Sequence, residues 1–482
     1  MRTQAIEGTG VVAVAGWDEQ GSSDTVPADG AADDQWDRLP LFEALRSRRS
    51  RRFGLGMRMD APLSFESHED PVPLTEEEQA VLAFAASGIT GYALNDLTLG
   101  AGEGGSMMSG LVGRTVSSAD AVQAVALLVT DDTGTWLLRR PQDLAAEELA
   151  RAIQISSRGD FVGMYRLLRV QLSDRRAQIP KEAPSTVALN RWSLNASGST
   201  YFLPIRDNGY VMINGLLEFL NEDSRLFFVD DRATYRPAGL RRFSRRRGGH
   251  LEDDLRLGRV VPIEAAERVV SEIVTVEVGM MLQNLGLACE ALGIGGFTNF
   301  AIVDGGWLET LGFRTMSMQA SRFLRAPFPV RAALRLKRQD VPIRYPIGLE
   351  VDGETILQCY APPYFPSMRA AVEAVVERKF GAKGIYRGGT TQSAWRDPAG
   401  VSEGIAGISD PAIEATVAFC EYIFDRYGRF PAYLAPFSTF VGFQAGHLDT
   451  DFYDQHYRPE VLTNGHRRHL DSALHRPARD GT

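Results

Sequence analysis

With 482 residues, a formal net charge of −9, 44% hydrophobic and 23% charged residues, the chain has the make-up of a soluble globular protein built from more than one structural unit. That acidic balance excludes wholesale binding to nucleic acid or to an anionic membrane surface, which need basic faces. Three scattered cysteines (Cys289, Cys359, Cys420) exclude a disulfide framework and a cysteine zinc site, and no run approaches the ~18 apolar residues of a membrane span, so a cytoplasmic location is expected.

Residues 1–38 carry eight acids and two arginines and read as a disordered acidic leader with little to bury. Their "GTGVVAVAG" lacks the preceding strand and the glycine spacing of a dinucleotide fingerprint. Ordered structure is predicted to begin with a helix at "PLFEALRSRRSRRF", with Leu41, Phe42 and Leu45 on one face. Thr75 and Glu78 form a capping box ahead of an apolar run, predicting a second helix that Gly88 ends. A Gly/Ser/Met-rich loop follows, then a hairpin over Ala121–Arg139 turning at Asp-Thr-Gly, then helical patterns at about 142–153 and 160–173. The stretch 190–260 is irregular in pattern. From Glu264 to Leu292 the sequence predicts one long helix, apolar on nearly every face, suited to the middle of a domain or to a subunit seam. Beyond about 330 the pattern shifts to short strands, two helices and a histidine-rich tail, and a boundary is expected there.

Three segments in chain order carry chemistry. The first is Arg48-Arg49-Ser50-Arg51-Arg52-Phe53. Clustered guanidinium forks with a hydroxyl suit a dianionic phosphate, and on a helix Arg48 and Arg52 would share a face. A solvated basic face explains the same residues. The second is "GRTVSSADA", small and hydroxylated, just before the hairpin; such clusters are also ordinary loop chemistry. The third is "QNLGLACEALGIGGF", a helix end followed by glycines, which reads either as close backbone approach to a ligand or as a helix cap and packing.

Taken in this order, the segments resemble the FMN-dependent nitroreductase superfamily, and within it the dehydrogenase branch that includes the azoline-oxidising enzymes. The resemblance covers about 40–130 and 262–302. It implies an α+β fold, with a mixed or antiparallel sheet flanked by helices, a homodimer, and FMN at the dimer seam. On the matching positions it implies a phosphate site at Arg48, Arg49, Ser50 and Arg52. Ser117, Ser118 and Ala119 would approach the ribityl chain and ring, and Gly295 and Gly296 the flavin edge, with a backbone N–H on N5. Arg46 and Arg51 are expected to be solvated. Val116-Ser117 stands where many relatives have proline-serine, and the lysine–tyrosine pair of azoline dehydrogenases has no counterpart, so no catalytic residue of the chain is assigned. Residues 39–330 would then form the flavin domain, with a substrate-side insertion at about 140–260, and 331–482 a C-terminal extension.

The function expected is hydride transfer through flavin N5 to or from a small-molecule or peptide substrate, with NADH, NADPH or the substrate itself as electron donor. The alternatives are a non-catalytic scaffold on the same fold and a metal-dependent enzyme built on the C-terminal histidines. Five of the seven histidines (His447, His456, His466, His469, His475) lie near the end with Asp449, Asp451 and Asp454, but match no trusted ligand spacing, and no metal site is assigned. The basic run Leu240–His250 reads as a solvated loop or a contact to the acidic leader, and Cys289 as inert.

Overall fold

The structure is a computed structural model that describes residues 39–96, 107–183, 185–300, 304–388 and 393–475. The acidic leader and most of the Gly/Ser/Met loop lie outside the described residues. The fold is α+β, and its centre is a seven-stranded antiparallel sheet. Across it run Gly295–Phe300, Val441–Gly446, Thr200–Asp207, Val125–Asp131, Gly134–Leu138 and Arg169–Ser173, with the short Phe437–Ser438 also pairing with Thr200–Asp207. The expected hairpin is the pair Val125–Asp131 and Gly134–Leu138. Smaller sheets form at 227–262, where Val260–Pro262 runs parallel to Phe227–Asp230, and at 313–358. No helix among the described residues is long and apolar enough to cross a membrane.

Within the stretch 140–260, Arg169–Ser173 and Thr200–Asp207 belong to the main sheet. Val441–Gly446 sits between Gly295–Phe300 and Thr200–Asp207, so the chain beyond 330 returns to complete the same core. The second of the two helical patterns at 142–173 also divides: helices occupy Ala146–Ser156 and Phe161–Leu168, and the chain then turns into a strand. The apolar "YVMINGLLEFL" of the irregular stretch is a buried helix, Asn208–Phe219.

The capping box forms as read: Thr75 Oγ1 accepts from Glu78 N, and Glu78 Oε2 accepts from Thr75 N at 2.7 Å, opening helix Glu76–Ser87. That helix packs on the long helix Ile263–Leu292, which also supports Asn208–Phe219 and Asn464–Leu474. The long helix is not apolar all round, because three of its buried acids each hold an incoming segment. Glu267 accepts from the backbone N–H groups of Ala432, Tyr433 and Leu434. Glu277 accepts from Ala124 N and Val125 N at the start of the hairpin. Glu290 accepts from Arg49 N and pairs with the Arg51 guanidinium. Buried carboxylates persist only when so satisfied, and these three fix where the sheet, the arginine segment and the C-terminal chain meet the helix. One face is left open: Val269, Val276 and Met280 are exposed.

Candidate functional site

The first helix ends at Ser47, so Arg48 and Arg52 do not share a helical face. The chain continues extended, and Arg51 bridges Gly296 at the edge of the sheet. Side chains of an extended segment alternate, and Arg51 and Arg52 turn to opposite sides. Arg48, Arg49 and Ser50 are exposed, with Arg48 lying against the long helix at Gly286. Arg51, expected to be solvated, is 4% exposed and bonded to Glu290 and to Val461 O. Arg52 turns the other way. Its guanidinium lies over the Trp192 and Phe297 rings and donates to Asn190 Oδ1 at 3.0 Å and Ser193 Oγ at 2.8 Å, while its buried Nε has no hydrogen-bond partner among the described residues.

On the far side of the long helix, Ser118 Oγ donates to Glu277 (2.9 Å) and accepts from Gln123 N (2.9 Å), whereas Ser117 and Ala119 are exposed. Arg114 completes the anchor on Glu277 at 3.1 Å, and Asn284 Nδ2 donates to Thr115 O. Directly after Ala119 the backbone is strained: Asp120, Ala121 and Gln123 have φ of 49°, 49° and 47°. Left-handed backbone costs a non-glycine residue about 1–2 kcal/mol, and here the Glu277 bonds to residues 118, 124 and 125 hold the turn in place. At about 100° per helical residue, Gly286 and Asn284 face opposite sides, with Val269, Val276 and Met280 between them. The arginine segment and the serine loop therefore border one exposed apolar stripe.

The glycines serve the chain's own packing. Gly295 and Gly296 pair with Gly446 and Ala445, and Gly296 is also bridged by Arg51, so this backbone is already committed on both edges. A Cβ on Gly295 would collide with Leu448, and one on Gly296 would come within 2.6 Å of Phe443 and 2.7 Å of Cys289. Cys289 is buried, which pushes its thiol well up, in keeping with an inert side chain. Tyr201 is likewise core, its hydroxyl donating to Asn299.

A small cleft of about 20 Å³ opens beside the arginine–glycine bridge, lined among others by Arg52, Phe297, Gln444 and His447. Behind it lies a polar cluster that sequence reading missed. Helix Asn464–Leu474 brings His469 against His447, with Nε2 3.0 Å from His447 Nδ1 and 3.4 Å from Glu78 Oε1; His447 Nε2 is 3.8 Å from Glu78 Oε2. His447, His466 and His469 thus pack into the fold while His475 is exposed, and Glu78 has a second neighbourhood besides its helix cap. His466, one turn earlier, faces Thr463 and Glu290 instead. In the basic run at 240–250 the arginines are exposed, with Arg245 paired with Glu252 and Arg246 with Asp253 and Asp254.

Burial pulls the His466 imidazole down from 6.5 to about 3, with Arg51 and His469 adding to the effect. The unfolded chain takes up this proton near 6.5 and the folded chain does not, so stability falls as pH drops from about 6.5 toward 3. Relative to His466→Gln, the wild-type chain is expected to lose up to about 1.4 kcal/mol per pH unit in that window. Urea denaturation near neutrality and one and two units below checks this; parallel curves would contradict it.

No family model matches the chain, and no curated protein does either. Among solved structures, a Ralstonia eutropha JMP134 protein provisionally described as a nitroreductase matches 60% of this chain and 79% of its own, at 12% identity and a TM-score of 0.27.

Proposed function

We propose that the protein is an FMN-dependent oxidoreductase whose flavin lies along the exposed stripe of the long helix, at the seam of a homodimer. The observation that carries this reading is the convergence of two motif segments, far apart in sequence, on the two borders of one unpartnered apolar stripe. Arg48, Arg49 and Ser50 offer exposed guanidinium and hydroxyl donors at one border, suited to a phosphate. Ser117, Ser118 and Ala119 stand at the other, beside a turn whose strain is of the kind that gathers at ligand sites. Leu41, Phe42 (77% exposed) and Leu45 of the first helix add to the uncovered apolar surface, and a second copy of the chain is the partner we infer for it.

Flavin chemistry supplies hydride transfer through N5. The chain's part is to hold the phosphate with Arg48, Arg49 and Ser50, and to exclude water over the stripe. Gly295 and Gly296 act one layer back, keeping the arginine segment against the sheet, and Arg52 belongs to the cleft. The substrate is a small organic molecule or peptide, the donor NADH, NADPH or the substrate itself, and the setting cytoplasmic, in keeping with three buried free cysteines.

Titrating the full chain with FMN tests the phosphate site. Arg48→Ala is expected to weaken binding by about 1.5–3 kcal/mol, the range for a charged hydrogen bond, while Arg246→Ala, in the solvated loop, leaves it unchanged. Equal effects, or none from Arg48, would remove the site from this segment.

A further inference from the structure

We infer that Glu78, His447 and His469 form a binding site for one divalent transition-metal cation of the zinc type. The inference is independent of the flavin reading. The three donors come from separate parts of the fold: the first turn of helix Glu76–Ser87, the end of strand Val441–Gly446, and helix Asn464–Leu474. One ligand atom from each lies within 4.8 Å of the others. Two imidazole nitrogens and a carboxylate oxygen are the donor set of three-ligand zinc sites. At metal–donor bonds of about 2.0–2.1 Å, donors on a tetrahedron sit about 3.3 Å apart. The observed 3.0 Å between the two imidazoles and 3.4 Å from His469 to Glu78 bracket that spacing.

The supporting shell is equally specific. Glu78 Oε2 is engaged by Thr75 N, which orients the carboxylate and leaves Oε1 on the His469 side. The His447 carbonyl accepts from Leu55 N at 3.2 Å, tying that residue to the segment after the arginines. His469 reaches its place because Gly293 has no side chain: a Cβ there would lie 2.6 Å from Gly465 O and 3.1 Å from His469 Cβ. Such outer contacts are how proteins aim metal ligands. As ligands the two imidazoles would be neutral and the carboxylate ionised, so a bound dication would meet one buried negative charge. Three protein ligands would leave the fourth coordination position to a water or a small ligand, as in catalytic rather than closed structural sites.

The test uses the full chain, stripped with a chelator and titrated with Co²⁺, then with Zn²⁺ in competition. One Co²⁺ per chain is expected, with the visible bands of a four-coordinate nitrogen/oxygen site, displaced by Zn²⁺. Glu78→Gln is the decisive variant, because glutamine still serves a capping box and the helix start is kept while the anionic ligand is lost. It should weaken Co²⁺ binding about tenfold or more, and Zn²⁺ should raise the melting temperature of the wild-type chain but not of this variant. His469→Ala should behave alike, and His475→Ala, at the exposed end of the same helix, should bind as wild type. The proposal is overturned by no saturable binding to the wild-type chain, by unchanged affinity in Glu78→Gln, or by loss of binding in His475→Ala.

Discussion

Arg51→Met is expected to destabilise the protein by roughly 3–5 kcal/mol, the cost of breaking one partner out of a buried ion pair. Arg51 and Glu290 are almost wholly buried, and the remaining Glu290 oxygen has no hydrogen-bond partner among the described residues, so removing the guanidinium strands a carboxylate in the core. The same substitution frees the end of helix Asn464–Leu474, because Arg51 also donates to Val461 O just before it. Arg48→Met, three residues earlier and exposed, should change stability by no more than about 0.5 kcal/mol. The combined Arg51→Met, Glu290→Leu variant should recover part of the loss, since an apolar pair can replace a buried ionic one at little cost. Urea denaturation of the four chains separates these cases. Equal, small losses at Arg48 and Arg51 would mean that the run is one solvated basic face after all.

Gly293→Ala should cost about 1–2 kcal/mol for a left-handed backbone at φ 77°. A further about 1–3 kcal/mol comes from forcing a methyl against Gly465 O. The strain can be relieved only by lifting helix Asn464–Leu474 from the end of the long helix. That helix carries His469, so the variant should lose cation affinity together with stability. A variant that melts early yet binds Co²⁺ like the wild type would show that the helix keeps its position and that Gly293 is a helix cap only.

These two positions also show which parts of the molecule are legible in sequence. Local signals were enough for the Thr75–Glu78 capping box, for the hairpin flanking Asp-Thr-Gly, and for the long helix, whose bounds at Ile263–Leu292 match the reading within one residue. Strand Thr200–Asp207 lies in the stretch that reads as irregular, and Pro204 in its middle argues locally against a central strand. Tertiary pairing on both sides overrides that. Arg51 cannot be told from Arg48 by composition, since its partner is 239 residues away. Nor does spacing announce the cluster of Glu78, His447 and His469, which only the return of the C-terminal chain to the sheet assembles. The one available hint was a capping glutamate in a chain rich in late histidines. The glycine turn reads as ligand contact or as packing, and side chains of the fold lie close to each missing Cβ.

The central claim is that the arginine segment and the serine loop border a flavin site at a seam between two copies of the chain. Anaerobic titration of the purified full-length protein with FMN, followed by flavin fluorescence and by sedimentation, tests it most directly. Saturable uptake of one FMN per chain by a dimer, with the visible flavin band retained through gel filtration, is the predicted result. A colourless chain that takes up no FMN would contradict the claim and leave the fold as a scaffold, whatever the outcome at the cation site.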